Sequence, residues 1–144
     1  MLRIAFDIGG VLSKYPDKFR ELCNKLHTCS GIEMYVITDM HNKEEVLKTL
    51  SANKFDMIPP ERVFSSDYDN YGEMCKAILL KELNIDIFID DFAGYCNWDS
   101  QLGESPIRLL IQPDPFKPYW NEDWQVSGDH HFGRRVSPKN IKRE

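Results

Sequence analysis

Leu2-Arg3-Ile4-Ala5-Phe6-Asp7-Ile8-Gly9-Gly10-Val11-Leu12 is the stretch on which the reading of the whole chain turns. A short, mostly apolar run ends at an aspartate and then at paired glycines. Such a run bounded by a turn signal predicts a buried strand, and the glycines predict a tight turn after it. The same grammar recurs downstream. Glu33-Met34-Tyr35-Val36-Ile37-Thr38 predicts a second strand whose last residue is polar. Arg62-Val63-Phe64-Ser65 predicts a weak third, and Ile85-Asp86-Ile87-Phe88-Ile89 a fourth that runs into Asp90-Asp91. Ile107-Arg108-Leu109-Leu110-Ile111 predicts a fifth.

Helical patterns lie between the strands. Phe19, Leu22, Cys23 and Leu26 fall at helical spacing from Asp17 to about His27. Asn42 is placed to cap a helix from Lys43 to about Ala52, with Val46, Leu47 and Leu50 on one face. A third helix is predicted from Tyr71 to Leu83, with Met74, Ile78, Leu79 and Leu83 apolar. Pro59-Pro60 stops any helix, and residues 92–106 and 112–125 read as connecting segments. Strands alternating with helices, the strands themselves apolar, predict a three-layer, Rossmann-like α/β fold around a central, mainly parallel five-stranded sheet. Residues 1–125 are read as one domain, and 126–144 as a basic C-terminal tail that either belongs to it or is flexible.

The bulk numbers agree. The chain has 144 residues, 42% hydrophobic and 28% charged, which is ordinary globular composition. No apolar run approaches the roughly 20 residues of a membrane span, and we expect neither a leader peptide nor a membrane partner. Cys23, Cys29, Cys75 and Cys96 are scattered, with no C-x-x-C pair. That usage suits a reducing, cytoplasmic setting and disfavours disulfides and zinc. A net charge of -5 argues against non-specific nucleic-acid binding by the whole surface. Residues 130–144 hold Arg134, Arg135, Lys139, Lys142 and Arg143 against Glu144 alone. It is read first as a solvated terminus and second as a contact for a polyanion.

Sheets of this kind bind ligands at the carboxyl ends of their strands. Here the first, second and fourth strands end in Asp7, in Thr38, and in Asp90 with Asp91. One aspartate after a strand is usually a turn or cap residue; the coincidence at three strand ends is the functional signal. Attack by a carboxylate on a phosphoryl group requires charge neutralisation. Mg2+ suits that work because it takes oxygen ligands and keeps several waters. An aspartate can then act as nucleophile, while a hydroxyl and a lysine stabilise the transferring group. Asp7, Asp90, Asp91, Thr38 and Lys76 supply that set.

Phe6-Asp7-Ile8-Gly9-Gly10-Val11-Leu12 resembles the first motif of haloacid-dehalogenase-like hydrolases. Val36-Ile37-Thr38 resembles the second. Lys76-Ala77, followed by Asp86-Ile87-Phe88-Ile89-Asp90-Asp91, resembles the third and fourth, in the same order and over Leu2 to about Ile111. The resemblance implies a metal site of Asp7, the Gly9 carbonyl, Asp90 and Asp91, with Asp7 also the nucleophile. It implies that Thr38 hydrogen-bonds the phosphoryl oxygen and that Lys76 pairs with the nucleophile and the phosphate. Asp91 aligns better with a direct magnesium ligand, Asp90 with a supporting or water-mediated position. The intervals from Asp7 to Thr38 and from Thr38 to Lys76 leave no room for a large inserted cap, so the chain resembles the capless branch.

One departure stands out. Phosphatases of this family mostly carry a second aspartate two residues after the nucleophile, as general acid and base. Here that position is Gly9. Loss of such a group typically costs about 100- to 10,000-fold.

Other polar and aromatic residues stand beside these as candidates. Lys81 competes with Lys76 on the same predicted helix but lies farther from its start. Asp39 is read mainly as a cap for the following helix, with water, Asp39 or a loop residue as substitutes for the missing acid. Asp67 and Asp69 flank a turn. Ser13 and Lys14 lie in the flap after the first motif. His130 and His131 point opposite ways if extended, and Asp99 is spaced too far from Asp91 for the family. Phe92, Tyr95, Trp98, Phe116, Tyr119, Trp120 and Trp124 are read as packing over a sheet edge, or alternatively as a platform for a nucleoside base.

The expectation is a Mg2+-dependent phosphatase acting on a small-molecule or nucleotide phosphoester through an aspartyl-phosphate on Asp7. Nucleic acid is not the favoured partner, and homo-oligomerisation is left open. The alternative is a catalytically weak or silent binding protein that kept the pocket. A phosphate-accepting receiver domain also uses Asp, Thr and Lys on a parallel sheet, but usually carries its acidic pair after the first strand.

Overall fold

The computed structural model describes residues 1–98, 103–112 and 121–125. Five strands form one sheet: β1 (Leu2–Phe6), β2 (Ile32–Thr38), β3 (Val63–Ser65), β4 (Ile87–Asp90) and β5 (Ile107–Leu110). Their order is β3-β2-β1-β4-β5, and every neighbouring pair is parallel. The helices are α1 (Pro16–Leu26), α2 (Lys43–Ala52), α3 (Tyr68–Tyr71), α4 (Cys75–Glu82) and α5 (Ala93–Cys96).

Side-chain alternation along the strands builds two cores. Ile4, Phe6, Met34, Val36 and Val63 face one way and pack with Cys23 of α1 and Val46 and Leu50 of α2. Ala5, Tyr35, Ile37 and Phe88 face the other way and pack with Cys75 and Leu80 of α4 and with Tyr68 and Tyr95. The result is the expected three-layer, Rossmann-like α/β fold, with the sheet parallel throughout.

Helix boundaries follow local chemistry. Pro16 opens α1, where a missing N–H costs nothing. Leu22, read as part of the apolar face of α1, is instead exposed, and Cys23 takes the fully buried position. Asn42 caps α2, its side chain accepting from the N–H groups of Glu44 and Glu45. Helices α2 and α4 each stop at a left-handed residue, Lys54 and Asn84. The next N–H then reaches back: Phe55 to the Leu50 carbonyl at 2.8 Å and Ile85 to the Leu80 carbonyl at 3.1 Å.

The continuous helix expected over Tyr71 to Leu83 is broken. Gly72 takes φ 58° and ψ -137°, a backbone open in practice to glycine alone, and separates α3 from α4. The fully buried residues of α4 are Cys75, Lys76, Ala77 and Leu80, while Leu79 and Leu83, expected on the apolar face, are partly buried against the same core. Within the expected loop over 92–106, residues Ala93–Cys96 form the short helix α5. Residues 121–125 return to the body of the fold, where Trp124 packs on Phe55 with ring centroids 6.1 Å apart. The basic tail, His130 and His131, Asp99, and Phe116, Tyr119 and Trp120 lie outside the described residues. No described helix is long and apolar enough to cross a membrane.

Candidate functional site

Strand order runs outward from β1 in both directions, toward β2 on one side and β4 on the other. The crossover therefore opens a crevice beyond the carboxyl ends of β1 and β4, where parallel sheets bind ligands. Phe6 pairs with Ile89, and the Asp7 N–H donates to the Ile89 carbonyl at 3.0 Å, so Asp7 and Asp90 emerge side by side. Asp7 keeps an extended backbone, φ -79° and ψ 161°. It thus points to the same side of the sheet as Ala5, toward α4. Asp90 follows Phe88 by the same alternation.

Lys76 of α4 reaches into that crevice. Its Nζ lies 2.9 Å from Asp7 Oδ1 and 2.8 Å from Asp90 Oδ2, and its side chain is 0% exposed. Asp90 Oδ1 accepts from the N–H groups of Asp91 at 2.7 Å and Phe92 at 3.0 Å. Those two bonds hold the chain in a turn that brings Asp91 back over the site. Asp91 then lies against Gly10. A Cβ on Gly10 would overlap the Asp91 carboxylate, and Gly10 has φ +74°. Both facts require glycine there. The turn carrying Gly9 and Gly10 is closed by Ser13, whose N–H donates to the Ile8 carbonyl at 2.9 Å. The Ser13 hydroxyl accepts from the Gly10 N–H at 3.0 Å, so Ser13 organises this turn.

Each of Asp7, Asp90 and Asp91 offers an oxygen within 4.8 Å of the others, a grouping that could hold a metal ion. The donor set is all oxygen, which suits a hard divalent cation. Charge fits as well. Three carboxylates and one ammonium leave two formal negative charges in a largely buried pocket, and a dication would neutralise them. Asp90 already serves Lys76 and two backbone donors, whereas Asp91 is half-buried at the rim.

The structure thus brings together Asp7, Lys76, Asp90 and Asp91, with Gly9 in the adjoining turn. Thr38 stands at the end of β2, buried, with its hydroxyl accepting the Met40 N–H at 3.2 Å. No hydrogen bond joins it to Asp7 or Lys76 among the described residues. Lys81 is exposed. Asp67 caps α3 by accepting from the Asn70 N–H at 3.2 Å, and Asp69 lies 3.7 Å from His41.

Two residues take places that the sequence did not reveal. Asp39 does not cap α2, because Asn42 does; instead it accepts the Tyr95 hydroxyl at 2.7 Å. Tyr95 is fully buried, and its ring centroid lies 4.4 Å from Lys76 Nζ. The one sequence signal for Asp39 was its position next to Thr38 at a strand end. Tyr95 had none, because a four-residue helix leaves no readable period. The burial of Tyr95 and Trp124 leaves neither ring open to stack on a base. Cys96 is buried nearby; burial first, then the negative charge of Asp90, pushes its thiol up to about 12.

Comparison of the chain with protein-family models, with curated proteins and with solved structures finds no match.

Proposed function

We propose that this chain is a Mg2+-dependent phosphohydrolase of the haloacid-dehalogenase-like type, capless, acting on phosphomonoesters through an aspartyl-phosphate on Asp7. One observation carries the reading. Three carboxylates converge at the crossover of a parallel sheet, and a buried lysine bridges two of them. A purely structural ion pair needs one carboxylate for one lysine. The surplus negative charge at a ligand-binding position is what calls for a cation and an anionic substrate.

In this reading Asp7, Asp90, Asp91 and the Gly9 carbonyl would hold Mg2+, which when bound would supply neutralisation of the phosphate charge. Asp7 attacks phosphorus; the P–O bond to the alcohol breaks as the Asp7–P bond forms, and water later cleaves the acyl phosphate to regenerate the carboxylate. Lys76 pairs with Asp7 and positions it. It also provides positive charge for the equatorial oxygens, with Thr38 as a further contact at the end of β2. Gly9 offers no side chain to protonate the leaving group, so substrates with acidic leaving groups are favoured.

Phosphate release from an aryl phosphate with Mg2+ tests this directly. Wild type is expected to turn over, and Asp7→Asn to lose at least about 1,000-fold. Equal rates for the two would remove Asp7 from the chemistry. The glycine at position 9 favours one second reading, a binding protein that retains the pocket without turnover. Calorimetric Mg2+ binding with no release across a broad phosphoester panel would support it.

A further inference from the structure

Tyr95 has no part in the chemistry described above, yet it touches Lys76 and the residue that follows Thr38. Its hydroxyl donates to Asp39 Oδ2 at 2.7 Å, and its ring lies 4.4 Å from the Lys76 ammonium. We propose that Tyr95 is a positioning residue: its ring supports Lys76, its hydroxyl anchors to Asp39, and it thereby sets the distance between the ammonium and the end of β2. The effect on turnover rests on the phosphohydrolase reading; the geometric linkage does not.

A lysine ammonium sits on a flexible four-carbon stem and is a poorly directed point charge unless its surroundings fix it. Asp7 and Asp90 fix it from the sheet side. Beyond them stands β2, which carries Thr38, the other group expected to grip the phosphoryl oxygens. The Tyr95 face, within cation–π range, supplies the opposing contact. Phe88 also lies near, 5.7 Å from Nζ, but has no polar handle to transmit position. Tyr95 has one, and its ring is locked by edge contacts with Phe92 at 5.0 Å and Tyr68 at 6.4 Å. The hydroxyl then ties this rigid ring to the residue that follows Thr38. One side chain on α5 therefore joins the lysine from α4 to the end of β2.

A core-filling tyrosine would make a different prediction, and a double-mutant cycle separates the two. Tyr95→Phe keeps the ring and removes the tether; Asp39→Ala removes it from the other end. Each is expected to lower kcat about tenfold with KM moving less than twofold. The double variant is expected to be no slower than either single one, because both remove the same bond. Asp39→Asn, which still offers an oxygen to the tyrosine hydroxyl, is expected to recover most of what Asp39→Ala loses. Losses in the double variant that multiply would overturn the proposal. A second measurement is independent of turnover. In the full chain with isotope-labelled lysine, the Lys76 side-chain resonance is expected to be shifted upfield by the ring. Tyr95→Leu should remove most of that shift, leaving the smaller part due to the more distant Phe88; its absence in wild type, or its undiminished survival in Tyr95→Leu, overturns the proposal. If Tyr95→Leu does not fold, Asp39→Ala serves instead, with an unmoved Lys76 signal as the overturning result. If Asp7→Asn and wild type prove equally active, the phosphohydrolase reading alone falls, and the resonance still decides the placement of Lys76.

Discussion

Lys76 shows how much one side chain can determine. An ammonium with no solvent exposure is tolerable because two carboxylates lie within 3 Å of it. The converse matters more: without the lysine, Asp7 and Asp90 would be adjacent buried anions. Breaking a buried pair by removing one partner typically costs about 3–5 kcal/mol. Lys76→Met is therefore expected to lose about that much stability in urea unfolding without divalent ions. Added Mg2+ should restore part of it, since the cation replaces the missing positive charge; no recovery would argue against a cation site at these carboxylates. At this scale the sequence pointed to Lys76 rather than Lys81, and the structure puts Lys76 between Asp7 and Asp90 and leaves Lys81 exposed. It was a poor guide to Asp39, whose meaning depends on a tyrosine contributed by a different element.

The elements differ in how much of them is local. Strands β1, β2 and β4 were legible because each is a short apolar run that ends in a polar residue. Helix α2 was legible because Asn42 is both a cap and a boundary. That cap is separable from the site: Asn42→Ala is expected to cost about 1 kcal/mol in urea unfolding while leaving Mg2+ affinity unchanged. A change in affinity would mean that α2 acts on the crevice. Helix α4 was misread for a physical reason. Periodicity assumes a continuous helix, and the left-handed backbone at Gly72 resets the phase. Lys76, polar in any pattern, lies on the buried face of α4. The short α5 escaped notice because one turn of helix is stabilised by its contacts and not by its own propensity.

For the whole molecule, the buried thiols report on folding. All four cysteines are free; Cys23, Cys75 and Cys96 are buried and Cys29 is exposed. A thiol reagent is expected to titrate Cys29 quickly in the native protein and the other three only on unfolding; fast reaction of more than one thiol would contradict the packing. Burial raises the Cys23 thiol from an ordinary 9.0 to about 12, and the Cys96 thiol likewise. The folded state keeps protons that the unfolded chain releases above pH 9. Stability from this source is therefore complete below pH 9 and is lost as pH climbs toward 12. The urea midpoint should fall over that range, and the fall should flatten in Cys23→Ala/Cys96→Ala.

What the sequence determined by itself was the alternation of strand and helix, the parallel sheet this implies, and the three strand ends carrying oxygen-bearing side chains. Those features are local, written in apolar runs, caps and turn residues that need no partner to be recognised. Tertiary structure alone decided which of those ends share a crevice. Strand order places β4 beside β1, and only then do Asp7 and Asp90 stand in register with Lys76 between them. The same holds for Tyr95 and Asp39: their contact depends on two elements distant in sequence packing on one face of the sheet, a relation that no local pattern encodes.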